Sequence, residues 1–189
     1  MESTQLAQNI ICNKEDVTLI KLEENTYRIL LQSHNSNVNL KNIINFDIYK
    51  LMVEINKKHM DSCELIKMES HDTAYFLYKF KALGANLGIP KKYMYVKTQC
   101  VQTANNIIEY KSTDLAPSKD ILARVKGYDK ITCNYSNLNI ELFNNNNSVK
   151  VDYYFNINIH ENLPIFAQNI LGILMKKMLL NLKIFIEKI

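Results

Sequence analysis

Two stretches of this chain alternate apolar and polar side chains with the period of two that marks a β-strand. From Ala74 to Lys81 the even positions Ala74, Phe76, Tyr78 and Phe80 form one face, and Lys79 and Lys81 end the other. From Val149 to His160 the odd positions Val149, Val151, Tyr153, Phe155, Ile157 and Ile159 oppose Lys150, Asp152, Tyr154, Asn156, Asn158 and His160. Such alternation belongs to an antiparallel sheet with one buried and one wet face. Val17 to Leu22 and Tyr27 to Gln32 read as shorter strands around a turn at Glu24-Asn25. Lys91 to Cys100, Ile107 to Ser112, Asp120 to Lys126 and Ile131 to Phe143 read as further strands. The last of these changes phase: Ile131, Cys133 and Tyr135 are odd, while Leu138, Ile140 and Leu142 are even. That predicts a bulge near Ser136-Asn137. Asn144 to Asn147 reads as the turn joining the final two strands, because asparagine tolerates left-handed backbone.

Two segments carry a helical period instead. Phe46, Ile48, Tyr49, Met52, Val53 and Ile55 recur at spacings of three and four behind a predicted Asn45 cap. After the last strand, Leu163-Pro164 opens a segment predicted to run helical to the C-terminus, with proline in its first turn. Its apolar face is read as Phe166, Ile170, Ile173, Leu174, Met178, Leu182, Phe185 and Ile189; Asn169, Lys176, Lys177, Asn181 and Lys188 mark the other. Gln168, Asn169 and the central Lys176-Lys177 pair argue against a membrane span, because charge at a bilayer centre is expensive. The order is strand pair, helix, long antiparallel meander, long C-terminal helix, and the class is α+β. A sheet of this length must curl, and an apolar helix laid in its concave face would close it. The enclosed space is then either filled by side chains or left open as a ligand cavity.

At 189 residues the chain is expected to form one domain over 1–189. A net charge of +4 permits attraction to an anionic membrane, but no Lys/Arg block is dense enough to argue for nucleic acid. Cys12, Cys63, Cys100 and Cys133 are far apart, form no C-x-x-C pair and follow no secretory signal. They read as free thiols in a reducing, cytoplasmic setting.

The search for catalytic chemistry finds little. There is no G-x-S-x-G, G-x-G-x-x-G or Walker A pattern, and no paired carboxylates stand on an apolar face. His34, His59, His71 and His160 are scattered without metal-ligand spacing, so neither a metal nor a cofactor is expected. One loop stands out. Lys81 to Pro90 holds two of the chain's four glycines and carries Leu83, Leu87 and Ile89 with no charge after Lys81. Leu83, Gly84, Leu87, Gly88 and Ile89 read either as a gate opening against the C-terminal helix or as a loop folded permanently on the core.

The order and spacing of these pieces resemble the StAR-related lipid-transfer (START) family. Lys58-His59-Met60-Asp61-Ser62 stands where that family has a Trp-Asp pair before a strand, with Met60 in place of Trp. Pro90-Lys91-Lys92-Tyr93-Met94-Tyr95-Val96-Lys97 fits the frame of its Arg-Asp-aromatic signature, with Lys91 and Lys92 substituted. Ile121-Leu122-Ala123-Arg124-Val125 resembles its Val-Arg strand, and Tyr153 to Asn169 its closing strand, Pro turn and helix start. The resemblance spans about residues 15 to 188. It implies a helix-grip (Bet v 1-like) fold, a long curved antiparallel sheet wrapped around a long C-terminal helix with an internal apolar cavity.

It also implies a monomer that carries a lipid without catalysis and meets membranes transiently. The ligand would be a phospholipid, which is favoured, or a sterol. On that premise the cavity walls are Phe76, Tyr78, Phe80, Tyr153, Phe155 and Ile157 on strands and Ile170, Leu174 and Met178 on the helix, with Phe166 near the mouth. For each of them plain core is a stronger expectation than ligand contact. Arg124 is the candidate phosphate contact, although strict alternation places it with Leu122 and Lys126; Tyr78 and Tyr110 are candidate hydroxyl donors. Lys91 and Lys92 are assigned to the membrane surface. Two rivals stay open: a protein-interaction module with a filled cavity, and a cyclase or hydrolase on the same fold.

Overall fold

The computed structural model of the chain describes residues 9–82, 88–160, 163 and 167–189. Ten strands make one sheet: β1 (Ile10–Lys14), β2 (Val17–Glu23), β3 (Thr26–His34), β4 (Met60–Ser70), β5 (Thr73–Phe80), β6 (Lys92–Ala104), β7 (Ile107–Asp114), β8 (Asp129–Lys130), β9 (Thr132–Phe143) and β10 (Ser148–Asn158). Their order is β1-β2-β3-β10-β9-β7-β6-β5-β4, every neighbour antiparallel, with the short β8 pairing parallel to β6. Among the described residues three α-helices accompany it: α1 (Ile48–Ile55), α2 (Lys119–Arg124) and α3 (Ile170–Lys188). This is the curled-sheet-and-helix arrangement of the helix-grip fold.

The alternating runs behave as strands should. Val149, Val151, Tyr153, Phe155, Ile157 and Ile159 are all buried, and Ala74, Phe76 and Phe80 join the same core. At the turn after β9, Asn144, Asn145 and Asn146 all have positive φ, as the asparagine run implied. The strand bulge lies two residues earlier than its expected place. β10 pairs Asn156 with Tyr135 and then Ile157 with Cys133, so the extra residue of β9 falls at Asn134-Tyr135. Cys133 and Ser136 both turn inward as a result, and Tyr135 is left outside against Tyr154. An edge strand, β1, precedes the first pair and pairs with β2 across a turn in which Glu15 and Asp16 have positive φ. Its short, mostly exposed sequence offers no alternation to read.

One predicted strand is a helix. Asp120 to Lys126 shows Ile121, Ala123 and Val125 in alternation, yet residues 119–124 form α2. The Ser118 Oγ accepts from the Ile121 N–H, Asp120 sits in the first turn and Arg124 in the last, all favourable to a helix. Ile121 and Val125, one helical turn apart, then pack on Leu77 and Tyr93 of the outer sheet face, forming a small second core. That cover explains why the outward residues Leu77 and Tyr93 are buried.

α1 begins at Ile48, later than the pattern suggested; the Asn45 side chain accepts from the Asp47 N–H and turns the chain ahead of the helix. α3 lies against β2 and β3, and α1 lies against β4 and α3. The orientation of α3 is set by Gly172. A Cβ there would stand 2.7 Å from the Tyr27 ring, so the helix approaches β3 as closely as only glycine allows. Tyr27 is itself fixed, stacked on Phe155 and donating its hydroxyl to the Gln168 carbonyl at 3.0 Å. At about 100° per residue, Lys176 and Lys183 fall within roughly 40° of Gly172 around the helix. Both are accordingly buried, Lys183 bonded to Glu187 at 2.7 Å, whereas Ile173 and Ile189 are exposed. The helix faces assigned from sequence need this correction. Among the described residues no helix is long and apolar enough to cross a membrane.

Candidate functional site: an apolar cavity with a hydroxyl floor

Between the concave face of β5, β6, β7, β9 and β10, the segment 44–52 and the middle of α3 lies a partly open cavity of about 190 Å³. Its apolar walls include Phe76, Phe80, Val96, Leu138 and Ile140 from the sheet, Ile48, Tyr49 and Met52 from α1, and Met175, Met178, Leu179 and Leu182 from α3. Five of the chain's seven methionines line it (Met52, Met60, Met94, Met175 and Met178), giving walls that adapt to irregular shapes. Among the described lining residues there is no Lys, Arg, Asp, Glu or His.

The reason for the open space is a row of small residues across the sheet. Ala74 faces Thr98, Thr98 faces Ser112, and Ser112 faces Ser136, on four successive strands. The same row continues to Phe155 and Tyr27, the large side chains on which α3 is seated. The helix is seated directly on the large residues at one end of the row, and the small ones leave the gap at the other. Thr98, Ser112 and Ser136 face the cavity, as does Tyr153. The hydroxyls of Thr98 and Ser112 are 2.9 Å apart, and Ser136 Oγ is 3.1 Å from Tyr153 Oη.

Burial raises the pKa of several titratable groups on the inner face. Burial pushes the Tyr78 and Tyr153 phenols well up, and does the same to Tyr110. The Cys63 thiol is raised by burial, and Cys133 is pushed up to about 12 by the same cause. Cys63 stands opposite Tyr78 and Cys100 opposite Tyr110 in register, and each pair shares a hydrogen bond.

Of the residues picked from sequence, Phe76, Tyr78, Phe80, Tyr110, Tyr153 and Met178 meet around this cavity. Phe155, Ile157 and Leu174 are buried in the core beside it and Ile170 packs on that core; none of the four lines the space. Arg124 is elsewhere. It ends α2 on the outer face, its side chain 54% exposed and bonded to Glu64 at 3.1 Å. The helical turn that buries Ile121 and Val125 points Arg124 to solvent, so it cannot contact a ligand in the cavity. Lys91 is exposed, 3.2 Å from Asp61 and over the Tyr128 ring. Lys92 departs from its surface assignment: its side chain is 2% exposed, 3.5 Å from Asp129, because it points to the inner face opposite Phe80. In the loop, Gly88 has a φ of +67° and Ile89 is buried. Leu83, Gly84, Leu87 and Phe166 lie outside the described residues. Thr98, Ser112 and Ser136 were missed, since only strand register brings them together.

No family model matches the chain, and no curated protein sequence matches it either. Solved structures do match. The human StAR-related lipid transfer protein 5 is 12% identical with a TM-score of 0.72, over 96% of this chain and 90% of that one. The lipid transfer and protein localization domain of human StarD13 is 8% identical with a TM-score of 0.74, over 100% and 96%. A STAR-related lipid transfer protein from Xanthomonas axonopodis is 10% identical with a TM-score of 0.64, over 94% and 97%.

Proposed function

We propose, from a START-type helix grip closed over an apolar cavity, that this chain binds one lipid without covalent chemistry and carries it between membranes. The apolar cavity, with no charged side chain among its described lining residues, is the observation that supports this reading most strongly. Each methylene moved from water into such a space gains about 0.8 kcal/mol, so an acyl chain or sterol ring system is retained by transfer energy alone. The carrier acts as a cytoplasmic monomer that touches membranes peripherally, with the 82–90 loop and α3 as the gate and Lys91 as a contact for anionic head groups. The ligand is a phospholipid or a sterol.

One observation favours a second reading. About 190 Å³ is below the roughly 300 Å³ at which small-molecule pockets usually begin, as expected of an interaction module whose cavity is nearly filled. Native mass spectrometry of the purified protein, followed by lipid extraction, separates the two. A lipid bound one to one, and its transfer between labelled vesicles, is the expected result. A bare protein that takes nothing from mixed liposomes would remove the carrier reading and leave the filled module.

A further inference from the structure

The four hydroxyls on the cavity floor are arranged with protons to spare. A hydroxyl donates once and accepts twice. Thr98 and Ser112 share one hydrogen bond, and Ser136 and Tyr153 share another. Two hydroxyls joined by a single bond use one of their two protons, so each pair keeps one donor. Among the described residues no further hydrogen bond to a side chain takes either proton. Both pairs line the cavity, in a site whose other described walls are apolar apart from Asn45 at its edge and the tyrosines and thiol described above.

The charge at this floor is as informative as the hydroxyls. Asp114 follows Ser112 by two residues on β7 and faces the core side opposite Val96, but it is bonded to Lys130 and does not line the cavity. A phosphate or carboxylate lodged against Ser136 would therefore be buried with no described counter-charge in the lining, at a cost of several kcal/mol. A neutral oxygen accepting the spare protons has no such cost.

We infer that the cargo is an uncharged lipid bearing one hydroxyl or carbonyl oxygen, seated with that oxygen on the Thr98–Ser112 and Ser136–Tyr153 pairs and its hydrocarbon against the methionine wall. This rests on the carrier reading and narrows it away from phospholipids. A cavity of about 190 Å³ is far too small for two acyl chains, and a single alcohol chain or sterol would enter it by displacing the adaptable methionine side chains. A long-chain alcohol and a sterol share the required chemistry.

The test offers the protein vesicles doped with cetyl alcohol, cholesterol, palmitate or a diacyl phosphatidylcholine, and reads uptake by native mass spectrometry. The expected outcome is uptake of the alcohol, the sterol or both, with palmitate and phosphatidylcholine at least tenfold weaker; which neutral probe binds identifies the hydrocarbon class. In the double variant Ser136→Ala with Tyr153→Phe, which removes a hydrogen-bonded pair together and leaves no orphan, preference for alcohol over hexadecane should fall about tenfold, the worth of one hydrogen bond. Thr98→Val with Ser112→Ala tests the second pair independently should the first variant fold poorly. Equal uptake of palmitate or phosphatidylcholine, or unchanged preference in both double variants, overturns the hydroxyl anchor and leaves carriage standing. Uptake of none of the probes overturns both.

Discussion

Gly172 shows how one residue decides the relation of helix to sheet. In a solvent-exposed helix, replacing glycine by alanine stabilises by about 1 kcal/mol. Here the added methyl would stand 2.7 Å from a Tyr27 ring that cannot easily withdraw, being buried, stacked on Phe155 and bonded through its hydroxyl to Gln168. Gly172→Ala is therefore expected to destabilise by about 1–3 kcal/mol, the usual penalty of overpacking, as a lower urea midpoint. In a Tyr27→Leu background the same change should cost much less, and an undiminished cost there would show that the ring is not the obstacle. At this scale the sequence hid what mattered. Nothing in Leu171-Gly172-Ile173 identifies Gly172 as a contact, and nothing in Thr98, Ser112 or Ser136 alone marks a cavity floor.

Among the three described α-helices, α1 differs from the other two. Its Ile48, Tyr49 and Met52 face the cavity, yet none of its residues is buried, because it covers an open space instead of a packed one. Few buried contacts mean a low free energy of local opening. Hydrogen exchange should be fast in α1 and slow in β3, β9 and β10, and lipid loading should slow α1 selectively. Protection of α1 equal to that of β10 in lipid-free protein would show that α1 is packed as firmly as the sheet. The period of the pattern was enough to find α1, the two long strands and α3, since those signals are local. It misread α2 because Ile121 and Val125 satisfy the spacing of a strand and of a helix alike; the Ser118 cap and the outer sheet face resolve the ambiguity.

Over the whole molecule, the inner face of the sheet gathers groups whose pKa burial raises. Cys63, Cys133, Tyr78, Tyr110 and Tyr153 all titrate above their ordinary values in the folded chain. Each folded group holds its proton more tightly than its unfolded counterpart, so stability is full below the unfolded thiol's 9.0 and falls as pH rises above it. For Cys133 the loss runs from 9.0 to about 12. The urea midpoint should thus decline steadily above about pH 9, and Cys133→Ala with Cys63→Ala should flatten the first part of that decline. An unchanged slope in that variant would assign the effect to the tyrosines or to the chain's net charge.

The sequence by itself determined the class of this protein. Alternation in Ala74–Lys81 and Val149–His160, the asparagine turn and the switch to a helical period after the last strand specify a meander closed by a helix, because side-chain periodicity is a local property of the backbone. Of the chosen residues that reach the cavity, Phe76, Tyr78, Phe80 and Tyr153 follow from the same alternation, Tyr110 from the strand read over 107–112 and Met178 from the helical period. Tertiary structure alone decided the rest. Which inward residues touch the cavity depends on where α3 stands off the sheet, and that is fixed by Gly172 against Tyr27. That Arg124 faces solvent and Lys92 the interior depends on a helix laid on the outer face and on the register of β5 with β6. The row Ala74, Thr98, Ser112 and Ser136 exists only once four strands are aligned, since residues 24, 14 and 24 positions apart acquire a common neighbourhood through hydrogen-bond register and through nothing in their local sequence.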